Sequence, residues 1–123
     1  MVRTKWVLRR EDRDEYRVED LGIFGDLESA FGYLKNYLWK EIEKIGLREI
    51  EEEWEEWLRD NNYNRRDHPF PEYIETLNQK IDRKIDKVRR RMRGGRDVDQ
   101  GAEDNGLDWG VWFYSFNKVP DFS

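Results

Sequence analysis

Asp26-Leu27-Glu28-Ser29-Ala30-Phe31 opens the stretch that decides the fold. From here Leu27, Phe31, Leu34, Leu38, Ile42 and Ile45 recur at steps of three and four. At ~100° per residue these side chains form one stripe, so the spacing predicts a core-facing helix over residues 26–45. Asp26 suits the N-cap, and Glu28 suits a first turn, where negative charge meets the positive end of the helix dipole. After Gly46 the apolar set becomes Leu47, Ile50, Trp54, Trp57 and Leu58. Continued as one helix, that set would lie roughly 170° from the first stripe. One helix cannot bury opposite faces in a small core without a partner on each side. The chain is therefore expected to break at Gly46 and begin a second helix over 47–60.

Downstream, Asn61-Asn62-Tyr63-Asn64 ends the second helix, and Pro69 and Pro71 announce a third. Pro71 fits a first helical position with Glu72 behind it. Ile74, Leu77, Ile81, Ile85, Val88 and Met92 then form a narrow stripe, predicting a long amphipathic helix over 71–93, about 35 Å in length at ~1.5 Å per residue. Such a stripe serves either as a core spine or as the seam of a symmetric homodimer. Gly94-Gly95 stops the helix, and the polar residues 94–106 read as a mobile loop. In Trp109–Val119, Trp109, Val111 and Phe113 alternate with Trp112, Tyr114 and Phe116. A strand apolar on both sides belongs inside a sheet rather than at its edge.

Upstream, Lys5–Arg9 and Tyr16–Phe24 read as a hairpin within residues 3–24, joined by the polar connector Arg10–Glu15. Tyr16, Val18 and Leu21 supply the expected apolar face of its second strand. The fold class is α+β: a small three-stranded antiparallel sheet, made of the hairpin plus the C-terminal aromatic strand, with three helices on one face. The 123 residues suit a single domain, and 15% aromatics argue for a packed core despite 41% charged residues. No apolar run approaches the roughly 20 residues that span a membrane. The N-terminal residues lack a secretory signal, and the chain has no cysteine, hence no disulfide framework and no thiolate chemistry. A cytoplasmic protein, in the host cell if viral, is expected.

Charge is sorted between helices. Leu47–Asp60 holds seven acids against Arg48 and Arg59, a local balance of −5 within a chain whose net charge is also −5. Lys80–Arg96 holds nine bases against Asp82 and Asp86, a balance of +7. Such blocks speak of partners rather than of catalysis. Glu49, Glu52, Glu53, Glu56 and Asp60 offer a row of negative charge that imitates a phosphate backbone and suits a basic groove on a partner protein. Trp54 and Trp57 fit the core stripe of the same helix and, second, interface anchors. Arg89, Arg90, Arg91 and Arg93 are the alternative site, since guanidinium forks grip phosphate and a line of them tracks a nucleic-acid backbone.

No catalytic residue, metal site or cofactor is assigned. His68, the single histidine, stands next to Asp67 but has no nucleophile nearby, and reads as a surface residue at the start of the third helix. The clustered glutamates lack an accompanying histidine and an EF-hand spacing. Gly94-Gly95-Arg96 lacks the Gly-Lys-Ser/Thr of a phosphate loop.

Gly22-Ile23-Phe24-Gly25-Asp26-Leu27-Glu28-Ser29-Ala30, after a short hairpin and with an aromatic strand near the C-terminus, resembles the text of many small uncharacterised phage and mobile-element proteins. Some of these inhibit host defence systems, anti-CRISPR proteins among them, by occupying nucleic-acid-binding surfaces. The resemblance implies a role class and carries over no functional residue. Together the readings point to a non-enzymatic, phage-type modulator that docks on a host protein, itself a nucleic-acid-binding effector. The alternative is a nucleic-acid-binding accessory protein.

Overall fold

The structure, a computed structural model, describes residues 3–12, 14–92 and 105–121. Four strands and three helices follow in the order β1 (Arg3–Asp12), β2 (Arg17–Phe24), α1 (Leu27–Ile45), α2 (Leu47–Asp60), α3 (Phe70–Arg91), β3 (Gly106–Trp109) and β4 (Trp112–Asp121). The fold is α+β, with a long third helix and an antiparallel sheet. The chain divides into two compact units, one of Met1–Leu34 with Lys84–Ser123 and the other of Lys35–Arg83.

In the first unit the sheet order is β2-β1-β4-β3, so the aromatic strand β4 lies inside the sheet, as its two-sided pattern predicts. Phe113, Tyr114, Ser115 and Phe116 are all buried, and Leu8 and Val7 of β1 are buried on opposite faces. The sheet has four strands where three are expected. The run read as one strand from Trp109 turns at Gly110-Val111, and β3 folds back on β4 with Trp109 opposite Trp112. Residues 93–104, most of the expected loop, lie outside the described residues. Gly106, its last residue, starts β3.

The hairpin is longer than its apolar text suggests. β1 and β2 pair as far as Asp12 opposite Arg17, and the turn is built by the Asp12 carboxylate, which accepts the backbone N–H groups of Asp14 (3.0 Å) and Glu15 (3.3 Å). The expected apolar face of β2 is not covered: Tyr16 and Val18 are exposed, and Leu21 is only half-buried. Alternation identifies a strand's two faces but cannot say whether anything packs on either.

Asp26 caps α1. Its Oδ1 accepts the Ser29 backbone N–H at 2.8 Å and its Oδ2 the Ser29 hydroxyl at 3.0 Å. These bonds, the backbone one first, hold its carboxyl below the ordinary aspartate range. Ala30, Phe31 and Leu34 of α1, with Ile85, Val88 and Met92, are buried in the first unit. In the second unit Leu38 and Ile42 of α1, Ile50 and Leu58 of α2, and Tyr73 and Ile81 of α3 are buried. Ile81, Ile85, Val88 and Met92 of the α3 stripe are thus buried, as a core spine requires, while Ile74 and Leu77 are half-buried. The helix begins at Phe70, one residue before Pro71, a shift within ordinary variation at helix ends. Between α1 and α2, Gly46 takes φ 93, a left-handed conformation that favours glycine. The chain breaks where the apolar stripe changes sides.

Candidate docking surface

Four of the acids on α2 follow the spacing i, i+4, i+7, i+11: Glu49, Glu53, Glu56 and Asp60. Their Cβ atoms share one side of the helix. Glu52 borders them, and all five are exposed. Arg48 Nε lies 3.8 Å from Glu52, at i,i+4 and almost fully in solvent, a pairing of little energetic weight. Glu49, Glu53, Glu56 and Asp60 form no ion pair with a base among the described residues. The ridge therefore keeps its charge.

Beside the ridge stands a set of rings that fastens the α2–α3 connection. Trp57 packs against Tyr63 (5.2 Å between centroids), His68 (6.0 Å) and Tyr73 (5.5 Å). The His68 imidazole stacks on Tyr63 at 3.7 Å and 20° between planes, with Nδ1 3.0 Å from both carboxylate oxygens of Glu72. The acid that orients this imidazole is thus Glu72, one helical turn later, and not the adjacent Asp67. Asp67 instead accepts the Asn64 side-chain amide at 2.9 Å. Trp54 donates its indole N–H to the His68 carbonyl at 3.1 Å and meets the Phe70 ring edge-on. Both tryptophans are half-buried, so each holds the connection together while leaving an edge in solvent. Arg65 lies over Trp54 and binds Glu55, which takes that carboxylate out of the acidic row. Glu55, Leu58, Arg59, Tyr63, Asn64 and Arg65 line an open depression of about 280 Å³.

Tyr73 joins the rings to the ridge. Its hydroxyl donates a long 3.4 Å hydrogen bond to Glu53. Burial first, then the negative charge of Glu53 and Glu56, pushes the phenol up to about 12. Below pH 10 the phenol keeps its proton in the folded and unfolded chain alike, and stability is unaffected. As the pH rises past 10 the unfolded chain ionises first, so stability should fall progressively until about 12. Denaturant titrations across this alkaline window should show the loss in the wild type and a flatter profile in Tyr73→Phe. Equal slopes would separate Tyr73 from the acidic ridge.

The alternative arginine set divides. Arg89 is engaged: its Nε and Nη2 donate to Glu28 at 2.7 and 3.1 Å, and its Nη1 binds Asp86. The Glu28 hydrogen bonds raise its guanidinium further above the ordinary arginine value. Arg90 and Arg91 are exposed and have no partner among the described residues. Arg93 lies outside the described residues. Sequence spacing finds these positions; it does not reveal that Arg89 is held by an acid 61 residues away.

Among the described residues no three acidic or histidine side chains are disposed to hold a metal ion. Among them also, no helix is long and apolar enough to cross a membrane. Comparison with protein-family models, with curated proteins and with solved structures finds no match to this chain.

Proposed function

We propose that this protein is a non-enzymatic docking module that lays the acidic ridge of α2 on a basic, nucleic-acid-binding surface of a host protein, the role of a small phage-type inhibitor. The observation that carries the reading is the line of carboxylates itself. Eleven residues separate Glu49 from Asp60, about 16 Å along a helix at ~1.5 Å per residue. Five charges over that length stand roughly 4 Å apart, near the ~3.4 Å of axis per phosphate on one strand of DNA. A groove that neutralises phosphates would find similar charge density here. The half-exposed Trp57 and Tyr63 supply rigid aromatic area beside it.

Capture of partners from host lysate, with and without nuclease, followed by binding kinetics on the recovered protein, tests this. Reversal of Glu52, Glu53 and Glu56 to Lys should lower the association rate about tenfold or more, and added salt should abolish the difference. These side chains are exposed and the one described bond among them that links α2 to α3 is the long Tyr73–Glu53 contact, so thermal melts should fall only slightly. Wild-type kinetics for the triple reversal would refute the docking face.

The exposed Arg90 and Arg91 support the second reading, in which phosphates bind at the end of α3. There Arg90→Glu with Arg91→Glu should remove nuclease-sensitive binding, and the salt slope should fall by ~0.9 per lost duplex phosphate contact.

A further inference from the structure

β2 is an outer strand of its sheet, paired with β1 on one side and with no described strand on the other. Its exposure is unusual for apolar side chains: Val18 is 56% and Ile23 69% exposed. Both lie on one face, since they stand opposite Glu11 and Val7 of β1. Arg17, Glu19, Gly22 and Phe24 lie on the other, opposite Asp12, Arg10, Leu8 and Trp6. Edge strands commonly guard themselves with charge. Here Glu19 and Asp20 are paired across the ladder with arginines of β1, Arg10 at 2.7 Å and Arg9 at 2.8 Å.

We propose that this edge pairs antiparallel with β2 of a second copy of the chain, about a two-fold axis, in one register. Arg17 stands opposite the second copy's Phe24, Val18 opposite its Ile23, Glu19 opposite its Gly22 and Asp20 opposite its Leu21. This alignment uses the whole strand. It joins Val18 to Ile23 twice over, and both side chains leave water together. No like charges face each other. Registers shifted one way set Glu19 against Glu19 or Asp20 against Asp20, which repel across a ladder. The register centred on Leu21 sets Val18 against Phe24, whose side chains lie on opposite faces and cannot pair. A register centred on Val18 pairs only three residues per strand, because the chain turns away at Tyr16, with φ 56. The bulge in β2, where Leu21 is the extra residue between the Leu8–Gly22 and Arg9–Asp20 pairs, also fits. Across the two-fold, each bulge meets the other rather than a regular strand. The product is one continuous eight-stranded sheet. The β2 edge shares no residue with the acidic ridge of α2.

The chain has no cysteine, so introduced thiols report the register directly. Positions 18 and 23 of one strand are about 16 Å apart at ~3.3 Å per residue, far beyond the ~7 Å limit between Cα atoms of a disulfide. Opposed antiparallel residues, at ~4.5–5.5 Å, fall inside it. Val18→Cys with Ile23→Cys should therefore yield a covalent dimer under mild oxidation, while each single variant should not. Sedimentation from low micromolar to millimolar wild-type protein should show a dimer that persists in high salt, as apolar contact and backbone hydrogen bonds require. Val18→Lys with Ile23→Lys should be a monomer whose melting temperature matches that of the wild type diluted to its monomeric range. A wild type that stays monomeric throughout, efficient crosslinking by Val18→Cys alone, or a dimer that salt dissolves would each overturn the proposal.

Discussion

Gly106→Ala is expected to detach β3 from β4 and to lower stability by about 3 kcal/mol. Gly106 is buried and stands opposite Ser115 in the ladder. A Cβ at this position would lie inside the van der Waals envelope of the Tyr114 carbonyl oxygen and the tip of the Phe113 ring. A flexible side chain could swing away, but the carbonyl belongs to the inner strand β4, which pairs with β1 from Trp112 to Asp121. The clash must be relieved by moving β3. That movement also strains the bonds from Asn105, whose carbonyl accepts the Phe116 N–H at 2.9 Å and whose amide reaches the Phe116 carbonyl at 3.3 Å. A melting temperature lower by on the order of 10 °C should accompany the loss. Faster hydrogen exchange at Leu107 and Tyr114 should localise it. Gly25→Ala is the control, because a Cβ there meets nothing within 4 Å. It should stay within about 0.5 kcal/mol of the wild type. Equal stability for the two variants would contradict the close packing of β3.

The same glycine shows where sequence reasoning runs out. Gly106 follows a polar, glycine-containing stretch and reads as the end of a loop. What makes it a strand residue is a close approach between backbones, which no periodicity encodes. A signal did exist next to it. Gly110 between two tryptophans is a glycine at the first central position of a two-residue turn, and Trp109 and Trp112 close that turn. The helices were legible for a converse reason. Their stripes, the Asp26 cap and the glycine at 46 are local features that a 3.6-residue period and a left-handed φ translate directly into structure. On the candidate surface, burial and exposure followed from helical spacing, so the acidic ridge and the exposed Arg90 and Arg91 stand where the pattern puts them. The long-range commitments did not follow. Arg89 to Glu28, Arg65 over Trp54 and His68 stacked on Tyr63 depend on how distant segments meet, and residue type alone leaves them open.

Phe31→Ala should be the most damaging single truncation in the first unit, at about 3–5 kcal/mol. Phe31 is 2% exposed and meets Phe116 of β4 edge-to-face, with ring centroids 4.7 Å apart and planes at 71°. Phe116 is itself 1% exposed, so the pair joins the first turns of α1 to the inner strand of the sheet. Above Phe31, the Arg89 guanidinium lies 5.2 Å from the ring centroid, held there by Glu28 and Asp86. Three separate losses therefore coincide: apolar area, a ring–ring contact of ~0.5–1.5 kcal/mol, and the seat of a cation that an acid on the same helix keeps in place. Phe31→Leu should recover more than half of the deficit, since it keeps most of the volume and gives up the ring geometry. A double-mutant cycle between Phe31→Ala and Phe116→Ala, read by denaturant unfolding, should return a coupling near ~1 kcal/mol. A cycle of Phe31→Ala with Arg89→Met should couple more weakly, because the guanidinium is half in solvent and keeps its two acids when the ring is gone. A Phe31→Ala cost below about 1 kcal/mol would mean that α1 does not depend on this ring to hold the sheet.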